Sequence, residues 1–191
     1  RTATQEVQTL EVSMPYQIEM DGLGHQIIEL RFDQFPPYGT KLVSIRADVL
    51  MSATPRPSQL MRTDLFLDDE PYIEKSDPAI EAVAASLSAP QTTSTASGIY
   101  QWVRSNMHYA GYIADDLGAR YAMHNRRGDC TEYAYLAAAL ARANRIVART
   151  LGGYVMDRNG APRADEYHNW AEVYVDGTWR QLDAQKENYQ T

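Results

Sequence analysis

A single cysteine, Cys130, follows Gly128 and Asp129 and opens a run rich in alanine and leucine, CTEYAYLAAALARAN. Alanine and leucine are the strongest helix formers. Asp129 is suited to cap that helix, and Glu132 stands three residues on, as in a capping box. Cys130 is then in the first turn, where the helix dipole and free backbone N–H groups favour a thiolate and can face an oxyanion. The acidic pair Asp129 and Glu132 opposes thiolate formation, so a cationic partner is required. A lone cysteine in a helix is more often a small buried hydrophobe. The partner therefore decides the reading.

A hairpin supplies one. Asp176-Gly177 lies between two alternating runs, the signal for a two-residue turn. Counting back from it pairs Val175 with Thr178, Tyr174 with Trp179, Glu172 with Gln181 and Trp170 with Asp183. Alternation then puts His168, Trp170, Glu172 and Tyr174 on one face with Trp179, Gln181 and Asp183. His168 and Asp183 become diagonal neighbours, within about 8 Å at the backbone. A slip of one residue would send one of them to the other face. A histidine can take the proton of a thiol and return it to a leaving group, and a carboxylate on its other nitrogen fixes tautomer and orientation. The expected constellation is Cys130 as nucleophile, His168 as base and Asp183 as orienting acid.

The elements that must position these residues change character along the chain. The first part reads as β: Gln5 to Val12, His25 to Phe32 and Thr40 to Met51, with turns at Asp21-Gly22-Leu23-Gly24 and Pro36-Pro37-Tyr38-Gly39. Met51 to Leu67 reads as a linker. A helix is expected from Ser76-Asp77-Pro78, with Ile80, Val83, Ala84 and Leu87 at helical spacing and Pro90 as its stop. A second begins near Thr93 to Thr95 and carries Ile99, Trp102, Val103 and Met107. Residues 109–128 read mostly as loop, with a short helical turn around Leu117 to Met123. The cysteine helix follows, to about Asn144. The last third returns to β: Ile146 to Met156, Tyr167 to Val175, Thr178 to Ala184. The expected division is a β-rich segment and linker over 1–72 and a core over 73–191.

Composition narrows the partners. The 191-residue chain carries a formal charge of −7, a poor match for phosphate backbones or anionic lipid, so no nucleic acid is expected. No stretch of about 18 apolar residues exists, so no membrane insertion is expected. One cysteine excludes an internal disulfide and cysteine-rich zinc sites. His25, His108 and His124 are scattered, without metal-ligand spacing. Asp157-Arg158-Asn159-Gly160 lacks the later ligands of a calcium loop and reads as a turn. Asp115-Asp116 reads as a solvated loop or helix cap. No metal and no cofactor are expected. Arg142, Arg145 and Arg149 suit a helix C-terminus and its exposed exit. Trp170 and Trp179 are read as sheet packing rather than cleft lining.

Three stretches carry a resemblance: RRGDCTEYAYLAAALARANRIVARTLGGY (126–154), YHNWAEVYVDGTWRQLDAQ (167–185) and, more loosely, IYQWVRSNMHY (99–109). Together they resemble the transglutaminase-like superfamily, in particular its bacterial transglutaminase-core members. The resemblance covers residues 77–191 and implies an α+β, papain-like fold, with the cysteine helix packed on an antiparallel sheet carrying the histidine and the aspartate. It assigns nucleophile, base and orienting acid to Cys130, His168 and Asp183. One departure is Asp183-Ala184 where the family often has Asp-Pro. The implied activity is acyl transfer from an amide carbonyl through a thioester. Peptide or amide hydrolysis is the expectation, because water is always present whereas an amine acceptor needs its own site. The alternatives are a transglutaminase or other amine acyltransferase, and a non-catalytic binding module on the same fold. A peptide or protein substrate and an extracytoplasmic location, periplasmic or secreted, are expected.

Overall fold

The computed structural model describes residues 4–21, 25–54, 57, 63–186 and 188–189. The chain divides into two units, 1–61 and 62–191. The first is all β. Strand β1 (Gln5–Val12) is followed by the hairpin of β2 (Gln17–Met20) and β3 (Gln26–Glu29), and β4 (Ile45–Met51) pairs antiparallel with β1 across a bulge between Val7 and Thr9. Gly39 N donates to Pro36 O (2.9 Å), which closes the turn expected there. Residues 22–24 of the other expected turn lie outside the described residues. β2 was not expected, and β3 and β4 are shorter than the runs read from the sequence. Ile18, Met20, Ile27 and Ile45 are exposed on these ribbons. No face is buried, so no two-residue hydrophobic period marks where a strand begins.

The second unit contains, among the described residues, every buried apolar side chain of the core. After a 3₁₀ turn at Thr63–Phe66 come α1 (Pro78–Leu87), α2 (Thr92–Asn106), β5 (His108–Tyr109), α3 (Gly118–Asn125), β6 (Arg127–Gly128) and α4 (Cys130–Ala143), then β7 (Ala148–Tyr154), β8 (Tyr167–Val175), β9 (Thr178–Asp183) and β10 (Asn188–Tyr189). The sheet order is β10-β9-β8-β7, antiparallel throughout. Asp77 caps α1 by accepting from Ala79 N and Ile80 N, with Pro78 in the first turn. Residues 63–72, grouped with the N-terminal segment on sequence grounds, belong to this unit: Phe66 meets Trp179 edge to face, and Arg142 donates to Asp68 O (2.8 Å).

Helix α4 is the centre of the unit. It packs on α1, α2 and α3 and on β7, β8 and β9. Ala137, Ala138, Ala139 and Ala141 are at most 1% exposed, so the alanines expected on several faces do lie against neighbours on all sides. A methyl side chain is what lets three helices and a sheet approach one axis closely. On the sheet, Ala148, Ala171, Val173, Val175 and Leu182 join this core.

Two local expectations are corrected. Residues 118–125 form a two-turn helix where only a short helical turn in a loop was expected. It begins on Gly118 at φ +87°, buries Ala119, Ala122 and Met123, and ends on Arg126 in the left-handed region at φ 54°. Eight residues between a glycine and an arginine cap give little periodic signal. Arg142 and Arg149 are not exposed. Arg142, 2% exposed, donates to Ala148 O and pairs with Glu70 (3.1 Å); Arg149 donates twice to Glu172 Oε2 (3.1 and 2.8 Å) and lies 4.1 Å over the Trp179 ring. Only Arg145 is exposed as expected. Their long apolar stems and full donor sets make burial tolerable where every N–H finds an acceptor.

Candidate active site

The N-terminus of α4 is held by a reciprocal box. Asp129 Oδ1 accepts from Thr131 N (2.8 Å), and Glu132 Oε2 accepts from Asp129 N (3.0 Å). The remaining carboxylate oxygens reach out of the helix: Asp129 Oδ2 accepts from Ile113 N (2.9 Å) and Glu132 Oε1 from Leu117 N (3.0 Å). The same two side chains that cap the helix thus pin the loop before α3. Glu132 is fully buried, and burial, then the neighbouring Asp129 charge, hold its carboxyl above the usual range despite the two N–H donors. Gly128 is required beside it. A Cβ there would lie 2.3 Å from Glu132 Cβ and 2.9 Å from its Cγ. Gly128→Ala is therefore expected to cost about 1–2 kcal/mol in urea unfolding, as overpacking of a filled site does; an unchanged midpoint would show that Glu132 can step aside.

Cys130 is the first residue of α4 and is partly exposed. As the first helical residue it has no intrahelical acceptor for its own N–H. The hairpin that carries His168 and Asp183 turns on Asp176 (φ 52°) and Gly177 (φ 79°), both left-handed as a type I′ turn demands. Its register runs from Val175–Thr178 through Tyr174–Trp179 and Glu172–Gln181 to Ala171–Leu182. The ladder stops one pair short of Trp170–Asp183; Asp183 pairs instead with Asn188 on β10. His168 and Asp183, each 3% exposed, meet all the same: His168 Nε2 lies 2.8 Å from Asp183 Oδ2. Asp183 Oδ1 accepts from Lys186 N (3.0 Å), so both carboxylate oxygens are engaged.

The ring nitrogen of His168 not engaged by Asp183 is left for Cys130, which is near enough to act on the protonation of the imidazole. Burial pushes the imidazole down. The Asp183 hydrogen bond and the favourable interaction with Asp183 and with the nearby Cys130 sulfur outweigh it and raise the pKa to about 9. At neutral pH an imidazolium is thus held between a carboxylate and a sulfur. The structure brings Cys130, His168 and Asp183 together from the start of one helix and two strands.

One neighbour, Asn169, was not singled out on sequence grounds, and another stands differently from its reading. Asn169 Nδ2 donates to Thr131 Oγ1 (2.8 Å), tying the residue after His168 to the residue after Cys130. Asn-Trp after a histidine has no spacing rule that would have flagged it. Trp170, read as sheet packing, lies against His168, with ring centroids 6.2 Å apart and planes at 24°. Gly153 leaves room for it, since a Cβ there would be 3.0 Å from the indole. Trp179 does pack, against Phe66 and Tyr174. Among the described residues no group of three His, Cys, Asp or Glu is placed to hold a metal, and no helix is long and apolar enough to cross a membrane.

No curated protein matches the chain in sequence. Solved structures do match its fold. A candidate cysteine protease from Cytophaga hutchinsonii superposes with a TM-score of 0.60 at 22% identity, over 97% of this chain and 68% of that one. The periplasmic domain of TgpA from Pseudomonas aeruginosa superposes with a TM-score of 0.57 at 16% identity, over 96% and 66%. This chain spans about two thirds of the length of either structure. At such identities the likeness is one of fold: an α+β, papain-like core behind β-rich N-terminal strands. In sequence, the profile of the transglutaminase-like superfamily covers residues 81–184, from α1 to the residue after Asp183, and with it the helix and hairpin that carry all three site residues. On that match the chain belongs to the transglutaminase-like superfamily.

Proposed function

We propose that the chain cleaves an amide bond through a thioester on Cys130, with a peptide or protein as substrate and water as acceptor. The observation that carries this reading is the grouping at the α4 N-terminus: a partly exposed thiol beside a buried imidazole that is itself bonded to a buried carboxylate. His168 already holds the proton of the Cys130 thiol as an imidazolium, and the thiolate sulfur bonds the carbonyl carbon. The oxyanion rests on the Cys130 N–H. The C–N bond breaks as His168 returns the proton to the departing amine, leaving a thioester. Water, giving its proton to His168, then releases the acid and restores the thiolate. The catalytic core is assigned to 73–191 together with the turn before it that packs on it, with the β-rich unit of 1–61 as an accessory part. A place outside the cytoplasm fits the periplasmic origin of one structural neighbour.

The test is incubation of the protein with a peptide mixture, with and without a labelled primary amine, followed by intact-mass and product analysis. An acyl adduct confined to Cys130 that resolves to water faster than to millimolar amine is the expected result. Amine incorporation exceeding cleavage would move the assignment to an acyltransferase. Absence of any adduct, with Cys130 no faster toward iodoacetamide than in a His168→Ala variant, would leave a binding module.

A further inference from the structure

A cleft of about 330 Å³ opens beside this site. Its lining includes Thr131 and Asn169, the residues next in sequence to Cys130 and His168, bridged by their own hydrogen bond. Around them stand Asp116, Tyr135, Gly152 and Tyr167. Tyr167 shapes the opening: its hydroxyl lies 2.1 Å from where a Gly152 Cβ would be, so the absent side chain leaves the space the phenol fills. Both tyrosines are buttressed, Tyr135 by stacking on Tyr72 (5.6 Å, 18°) and Tyr167 by the edge contact with Tyr154 (5.5 Å, 74°). Asp116 is the one carboxylate of the lining, and no lysine, arginine or histidine is there to neutralise it. Among the described residues its hydrogen-bond partner is Tyr135 Oη (3.1 Å) on Oδ2. Burial, and then Asp116 itself, push the Tyr135 phenol up, so that hydroxyl is a neutral donor at any working pH. The cleft therefore carries one negative charge among aromatic rings.

We propose that this cleft seats a positively charged side chain of the substrate, an ammonium of the lysine type, next to the amide that Cys130 attacks; that placement rests on the thioester reading. A carboxylate draws a cation, and the faces of tyrosine rings accept its charged head and its apolar stem. An acidic side chain would meet uncompensated repulsion. Asp116 is exposed, so the discrimination is modest and salt-sensitive.

The test reads binding without turnover, using the full chain as Cys130→Ala and three N-acetylated tripeptide amides with lysine, norleucine or glutamate at the centre. The lysine peptide is expected to bind about fivefold tighter than the norleucine one, the size of an exposed ion pair. The glutamate peptide should bind weakest, and added salt should narrow the lysine preference. Asp116→Asn in the same background should bring the lysine and norleucine affinities together. Asp115→Asn removes an equal charge from a residue outside the lining and should keep them apart. Norleucine binding as tightly as lysine, a preference that survives Asp116→Asn, an equal loss in Asp115→Asn, or no lysine binding at millimolar peptide each overturns the proposal. The thioester reading is judged separately on the unmodified protein. An adduct on Cys130 with no lysine preference removes the cleft assignment alone, and a lysine preference with no adduct removes the thioester alone.

Discussion

Asp183→Asn is expected to lower the rate of acylation by about three to four orders of magnitude, the cost of fixing the wrong imidazole tautomer in a comparable triad. The reason lies in the second partner of the carboxylate. Lys186 N–H, 3.0 Å from Asp183 Oδ1, can only donate. In the amide variant the carbonyl oxygen must stay on Lys186, which turns the NH₂ group toward His168 Nε2. Nε2 then has to be an acceptor, and the ring proton moves to the nitrogen that faces Cys130. An imidazole in that state cannot take the thiol proton. Asp183→Ala imposes no tautomer and should be no worse than Asp183→Asn. An amide variant with near-parental turnover would mean that Asp183 does not orient the base.

The pH profile gives the same experiment a second reading. The imidazolium is the acid that protonates the departing amine, and its fraction falls as pH rises through about 9. The alkaline limb of kcat/KM should therefore lie near that pH. Removing Asp183 deletes its hydrogen bond and its attraction and leaves burial, acting downward, opposed by Cys130 alone. The limb must move to lower pH in either variant. A loss of rate with the limb unmoved would point to a structural fault in the hairpin rather than to the tautomer.

How far the sequence reached depended on whether a local rule existed. Asp176-Gly177 has one, and the register it dictates is the register found, down to Ala171–Leu182. The His168–Asp183 meeting followed from that count although the Trp170–Asp183 ladder pair does not form. Asp129 and Glu132 were legible as a capping box for the same reason. Their outward bonds to Ile113 and Leu117 were not, because those partners lie sixteen and fifteen residues away through a segment with no periodic pattern. The buried arginines were misjudged because local charge at a helix exit says nothing of acceptors brought from Asp68, Ala148 or Glu172 by tertiary packing. In the N-terminal ribbons an exposed apolar residue such as Ile18 carries no inward-facing period, so strand β2 left no trace. The asymmetry is physical: turns and caps are encoded within four residues, whereas the second set of bonds on a buried polar group is written in the fold.

The outward bond to Leu117 and the inward one to Asp129 make Glu132 a residue whose loss should cost substantial stability. Glu132→Ala strands two donors, Asp129 N and Leu117 N, at a site where the side chain is fully buried. Each orphaned buried N–H costs about 1–3 kcal/mol, and the emptied space beside Gly128 adds to it. Relief from burying a carboxyl offsets part, leaving an expected loss of about 3 kcal/mol in urea unfolding. The loss should depend on pH with a definite sign. The folded carboxyl titrates above its ordinary value, so the folded state binds the proton more tightly than the unfolded one. Its contribution is fully present below the ordinary glutamate range and declines as pH rises through the folded value. The difference between parent and variant should therefore be largest in mild acid and shrink toward neutrality. Function should suffer as well. Leu117 follows Asp116, so releasing its N–H frees the loop that brings Asp116 to the cleft, and the cap that fixes Cys130 loses one of its two arms. Glu132→Ala is expected to slow alkylation of Cys130 by iodoacetamide at neutral pH while the far-UV helical signal is kept. A variant as stable as the parent across this pH range would show that the box is ornamental and that the loop before α3 is held by something else.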